Sequence, residues 1–228
     1  MNGIRIEKNA VLSADEITES TIAKINRFSM KPLTAEQVFT FKAVLCDTHI
    51  DRDSECFSEA ALLSLKDLFV GKTVVKDHKP CADNQIARIY DTELTPNGSD
   101  TELTAYCYMV RTDGNAGLIA EIEGGIKKEG SVSCAVTKRV CSICGKDSLH
   151  TPCRHIGGMK YDGAVCHYVL DSVQDAYEFS LVGVPAQTGA GIRKSADIPD
   201  ETQEVTALLL KAAAYRAKYK IAKGEIQS

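Results

Sequence analysis

The sequence shows no excess of positive charge, no long apolar run, no internal repeat and no extended low-complexity tract. Its formal net charge of −4 lacks the basic footprint that a nucleic-acid binder needs. No apolar run approaches the ~20 residues required to cross a bilayer as a helix. The N-terminus lacks a basic region followed by an apolar stretch, so no secretory signal is expected. The expected compartment is therefore the cytoplasm, where the nine cysteines are reduced thiols and metal ligands, not a disulfide framework. What remains is an ordinary globular composition, 44% hydrophobic and 25% charged over 228 residues. That length holds one good-sized core with decorations, or two small domains.

Residues 1–35 are polar and mixed and read as an N-terminal extension. A strand is expected from Gln37 to Leu45, rich in Val, Phe and Thr. The polar loop from Cys46 to Glu55 follows. Ser58 then caps a helix carrying Ala61, Leu62, Leu65, Leu68 and Phe69, closed by Gly71. Lys72 to Lys76 is a short strand, and Gln85 to Leu94 and Thr101 to Val110 form a hairpin across a turn at 96–100. In its second strand Leu103, Ala105, Cys107 and Met109 alternate with Thr104, Tyr106 and Tyr108, the period of a half-buried strand. Asn115 is the expected cap of a helix through Leu118, Ile119, Ile122 and Ile126. Strands are expected at Ser131–Thr137, Val165–Leu170 and Tyr177–Val184, and a Gly-rich turn at Thr188–Gly191 ends the core. An amphipathic helix begins beyond Pro199. Many short strands with two or three helices indicate an α+β fold, with a mostly antiparallel β-barrel or sheet core.

Three segments place a chemically competent side chain in or beside an apolar β-rich run. They are Val74 to His78, Gly130 to Val136 with Ser133, and Tyr177 to Val182 with Glu178. A serine hydroxyl is a poor nucleophile unless a base takes its proton, and a carboxylate behind a histidine base fixes its tautomer. Alternatives exist for each role. Ser131 and Cys134 rival Ser133, although a small buried thiol is the ordinary role of such a cysteine. His49, with Asp47 and Asp51 nearby, rivals His78, and Asp171 and Asp175 rival Glu178. Taken singly, each residue has a plainer reading: a satisfied strand serine, a loop histidine, a solvated carboxylate.

The order and flanks of these blocks resemble the tailed-phage (caudovirus) prohead maturation proteases, serine proteases that share their fold with the herpesvirus assemblins. The likeness runs from about Val38 to Ile192. It includes Phe57 and its helix, Gly71 to His78, Asn84 to Ile89, Gly130 to Ser133, and Glu178 to Ala186. It implies a protease domain over 36–192, with His78 as base, Ser133 as nucleophile and Glu178 as the third member. It also implies oxyanion amides from the Pro185–Gln187 turn. Two departures are visible. Cys134-Ala135 stands where many members carry a glycine, and a cysteine-rich insert lengthens the stretch between serine and acid.

The implied activity is cleavage of the scaffold segment of the major capsid protein, and of the protease's own termini, inside the immature prohead in the bacterial host's cytoplasm. The implied partners are that capsid protein and a second copy of the chain, with no nucleic acid and no membrane. The polar head and the tail over 193–228 are the expected self-cleavage or targeting regions. A reading from another class keeps the fold with an idle serine: a zinc-stabilised capsid-assembly or scaffold-binding module. Chemistry at Cys134 is a third.

The insert over 141–167 carries Cys141 and Cys144 with two residues between them, and Cys153 and His155 follow. Three thiolates and an imidazole complete a closed tetrahedral zinc site, which is structural because no coordination position is left open. Cys166, His167 and His150 are alternative ligands; unliganded surface cysteines and an iron–sulfur cluster are the other readings. Asp51, Asp53 and Glu55 resemble the start of a calcium loop, but the glycine at its sixth position and the glutamate at its twelfth are missing. They are expected to cap the loop and the following helix.

Overall fold

A computed structural model describes residues 17–187 and 190–193. The tail expected beyond Pro199 and positions 188–189 of the Gly-rich turn lie outside the described residues. The first helix, α1 (Glu19–Ile25), was not expected within the N-terminal extension. Thr18 caps it, its Oγ1 accepting the Thr21 N–H at 3.1 Å, and acidic Glu19 and basic Lys24 suit the two ends of its dipole. The strands that follow are β1 (Val38–Asp47), β2 (Glu55–Phe57), β3 (Thr73–Lys76), β4 (Ala87–Asn97) and β5 (Asp100–Val110). Beyond them lie β6 (Gly130–Cys141), β7 (Lys160–Tyr161), β8 (Ala164–Val165), β9 (Tyr168–Leu181) and β10 (Gly191–Arg193). Helix α2 (Glu59–Phe69) lies between β2 and β3, and α3 (Ala116–Glu123) between β5 and β6.

The main sheet runs β10-β1-β5-β4-β3-β9-β2, with β6 also pairing β9. Pairings are antiparallel except where β9 runs parallel to β2 and β3. The fold is therefore α+β, as expected, but the expected barrel does not close among the described residues. The gap lies between β6 and β10, where no ladder forms: the isolated bridge Glu129 to Gly191 is flanked by the Gly130 N–H on the Ala190 carbonyl and the Ile192 N–H on the Lys128 carbonyl. The physical reason is short supply at that gap: β10 has only three residues, all laddered to β1.

One face of the sheet carries the main core, where Leu62, Leu65 and Phe69 of α2 and Ile119 and Ile122 of α3 meet Leu103, Cys107, Met109 and Phe179. Ser58 caps α2 as expected, its Oγ accepting the Ala61 N–H at 3.0 Å. Leu103, Ala105, Cys107 and Met109 of β5 enter this core, but the strand is not half-buried as expected: on its opposite face Thr104 and Tyr108 are buried too, with Tyr106 between them partly exposed. Helix α1 covers that face, and Ile25, fully buried, packs with Val38, Tyr90 and Tyr108. At α3, Asn115 occupies the cap position, but its side chain turns back to accept the Thr112 N–H and donate to the Val110 carbonyl. The helix ends at Glu123, which leaves Ile126 outside it and 72% exposed. No described helix is long and apolar enough to cross a membrane.

Candidate active site and metal centre

Strand β9 organises the site. Along one edge it pairs with β6 for the full length of that strand, from Cys141 opposite Tyr168 to Gly130 opposite Leu181. Its other edge is shared, with β2 taking Tyr168–Leu170 and β3 taking Glu178–Leu181. Glu178 thus lies between Thr73 of β3 and Ser133 of β6, opposite each in register. Residues directly opposed across a ladder point to the same face with Cβ atoms about 4.5–5.5 Å apart. At the start of β6 only glycine fits, because a Cβ at Gly130 would run into the Phe179 ring.

His78 comes from the turn after β3. Its Nδ1 lies 2.7 Å from Glu178 Oε1, and the carboxylate is only 4% exposed. Glu178 Oε2 is buried without a hydrogen-bond partner among the described residues, so the carboxylate meets the imidazole through Oε1 alone. With Nδ1–H donated to that carboxylate, Nε2 is the ring nitrogen left to take a proton. His78 and Asp77 both have left-handed backbones, φ 51° and 53°.

The rivals are occupied elsewhere. His49 Nδ1 faces Asp100 at 3.4 Å. Asp171 accepts from Ser58 Oγ at 2.8 Å, and Asp175 pairs with Lys72 at 3.1 Å. Ser131 stands opposite Ser180, one row away from the carboxylate. Cys134 packs against the core, and burial pushes its thiol up to about 11, the opposite of what a reactive thiolate requires. Asp51 caps its own loop, its Oδ1 accepting the N–H groups of Asp53 and Glu55.

Three contacts were not read from the sequence. Ser180 Oγ accepts the His78 N–H at 2.8 Å. Asn84 donates to the carbonyls of Lys76 and Lys79 on either side of the histidine. Gln187, buried, binds Asp47 through its backbone N–H, carbonyl and Oδ1. A usable signal existed for Ser180: it is two residues past Glu178, hence on the same strand face.

The insert brings Cys141, Cys144, Cys153 and His155 together, all their ligand atoms within 4.8 Å of one another. Cys144 and Cys153 sulfurs lie 3.6 Å apart, and His155 Nδ1 is 3.6 Å from both Cys141 and Cys153. Gly145, at φ 69°, makes the tight turn, its N–H bonded to the Cys141 carbonyl at 2.9 Å. Burial pushes the Cys141 thiol up, but the N–H groups of Cys144 and Ile143 and the adjacent thiols outweigh it and hold it at about 6. This donor set can hold a metal ion.

Of the alternative ligands, His150 is taken by Asp147 at 2.7 Å. Cys166, fully buried, lies 3.8 Å from Cys141 as a flanking thiol. The N–H and carbonyl of His167 bond to Ser142, tying the base of β9 to the cysteine turn.

Comparison with protein families, with curated proteins and with solved structures returns no match for this chain.

Proposed function

We propose that this chain is a serine endopeptidase that cleaves scaffold or capsid-protein segments, and itself, during phage prohead maturation. The observation that carries the reading is the arrangement around Glu178. A buried carboxylate holds His78 Nδ1 at 2.7 Å and faces Ser133 directly across the β6–β9 ladder. In this mechanism Ser133 Oγ attacks the peptide carbonyl while His78 Nε2 takes its proton. The imidazolium is stabilised by Glu178 and then protonates the leaving amine. Backbone amides of the Pro185–Gln187 turn stabilise the oxyanion. That turn is anchored by Arg52, which donates through Nη1 to the Pro185 carbonyl and through its N–H to the Ala186 carbonyl.

Zinc is the metal assigned to Cys141, Cys144, Cys153 and His155. Zn–S bonds of about 2.3 Å in a tetrahedron put sulfurs about 3.8 Å apart, which suits the 3.6 Å between Cys144 and Cys153. With four protein ligands the ion is structural and takes no part in peptide cleavage. The partners in this reading are the major capsid protein and a second copy of the chain, within the immature prohead in the host cytoplasm.

The test is co-expression with the capsid protein, with and without Ser133→Ala. Capsid-protein fragments that appear only with Ser133 intact support the protease. Identical band patterns overturn it in favour of an idle zinc-stabilised assembly module.

A further inference from the structure

We infer that Ser180 and Asn84 are positioning residues for His78: they hold its backbone in a left-handed turn that aims the imidazole at Ser133. The proposal rests on the protease reading above.

Two consecutive residues that are not glycine, Asp77 and His78, adopt φ of 53° and 51°. Such a conformation is strained in a residue with a side chain and persists only where the surroundings over-determine it. Strand β3 ends at Lys76, so without the two reversals the chain would carry His78 away from β9. On the β9 side, the Asp77 N–H donates to the Leu181 carbonyl at 2.9 Å, and the His78 N–H to Ser180 Oγ at 2.8 Å. On the solvent side, Asn84 Nδ2 donates to the Lys76 carbonyl at 2.6 Å and the Lys79 carbonyl at 2.9 Å.

The β3–β9 register is unbroken from Glu178 to Leu181, so Glu178 and Ser180 project from the same face of one strand. His78 is therefore held at two points on β9, its ring by Glu178 at 2.7 Å and its backbone by Ser180 at 2.8 Å. One point lets the imidazole swivel about the bond to the carboxylate, whereas two fix the direction of Nε2. Ser180 has no exposed surface, and its truncation removes the side-chain acceptor of the His78 N–H.

The experiment has two arms. Peptide cleavage is measured for Ser180→Ala, Ser180→Thr and Asn84→Ala, using a capsid-derived peptide. The ring protons of His78 are followed by NMR in a Ser133→Ala background, with and without the same changes. A displacement near 1 Å costs about 100-fold; kcat is accordingly expected to fall at least about 30-fold for Ser180→Ala with KM changed less than about twofold. Ser180→Thr, which keeps the hydroxyl, is expected to restore most of kcat. The Nδ1 proton shared with Glu178 is expected to broaden or vanish in Ser180→Ala.

Asn84 is partly exposed, so Asn84→Ala supplies a folded variant if Ser180→Ala does not fold, and the same fall in kcat is expected. Unchanged kcat and an unchanged imidazole signal in both variants overturn the proposal. A wild-type chain that cleaves nothing overturns the protease reading instead, while the imidazole signal still decides whether the clamp exists.

Discussion

Ser133 and Cys141 lie on one strand, β6, and are laddered to the same partner strand, Ser133 opposite Glu178 and Cys141 opposite Tyr168. The candidate nucleophile and the first candidate metal ligand therefore share one ribbon, gripped at one end by the cysteine cluster. Register shifts between Ser133 and Cys134 and between Ala135 and Val136 separate the two ends. Such bulges redirect side chains within a pair of strands.

This arrangement sets the expected response to metal removal. Chain purified without chelator is expected to contain about one zinc by elemental analysis, and Cys144→Ser to lose it, because a closed site needs all four ligands. Amide exchange is expected to rise in the Val136–Cys141 part of β6 first, leaving the core strands β1, β4 and β5 protected. Wild-type protein without near-stoichiometric metal, or a Cys144→Ser variant that keeps it, contradicts the assignment.

Replacing Glu178 by Gln separates charge from shape. The amide can still accept from His78 Nδ1, but it no longer stabilises an imidazolium, so kcat is expected to fall by about 10²–10⁴. Urea stability is expected to stay within about 1 kcal/mol, because an amide left partly unpaired is less costly to bury than a carboxylate with one bare oxygen. Steady-state kinetics and urea melts on the same preparation check both halves. A large fall in stability would make the carboxylate a structural group.

Asp47 provides a pH dependence whose sign can be worked out. Burial raises its carboxyl above the ordinary value of 3.8, against the opposing pull of the His49 N–H. A carboxyl raised on folding binds its proton more tightly in the folded state. Its contribution to stability is present below pH 3.8 and lost as pH rises through the higher folded value. Asp47→Asn removes that loss while its amide oxygen can still accept from His49 and Gln187. The variant's stability relative to wild type is expected to increase from acid to neutral pH, read from urea midpoints across the range. A difference that shrinks with rising pH contradicts the assignment.

Ile25 tests whether α1 belongs to the folded body. It is fully buried against Val38, Tyr90 and Tyr108, and Ile25→Ala is expected to cost about 2–5 kcal/mol in urea unfolding. A loss below about 0.5 kcal/mol, the level of a surface change, would place α1 outside the cooperative unit.

Much of the frame could be read before the coordinates, wherever local chemistry and packing agree. Ser58 signals α2 because its hydroxyl meets an orphan N–H there. Val74 and Val75 signal β3 because they are buried on a strand that delivers His78. Strand β9 was harder. Val165–Leu170 and Tyr177–Val184 read as separate strands, since Asp171, Ser172 and Asp175 break the apolar pattern. In the fold Asp171 is held by Ser58 and Asp175 by Lys72, so the polar stretch continues one strand, Tyr168–Leu181. Helix α1 is not legible in the sequence because its apolar side is short and its partners Tyr90 and Tyr108 lie far along the chain. The four residues of the candidate metal centre are legible from spacing, and the pairing of His78 with Glu178 from resemblance. The Ser180 and Asn84 contacts depend on the left-handed turn at Asp77 and His78, which nothing in their side chains announces.

If Ser133 is a nucleophile activated by His78, it reacts covalently with a serine-directed label. The chain is treated with a fluorophosphonate, which phosphonylates an activated serine with loss of fluoride, and the product is mapped by peptide mass spectrometry. We expect a single adduct on Ser133, absent in Ser133→Ala and strongly slowed in His78→Ala. An adduct on Ser131, equal labelling with and without His78, or cleavage of capsid protein by a chain that takes no label at Ser133 would contradict it.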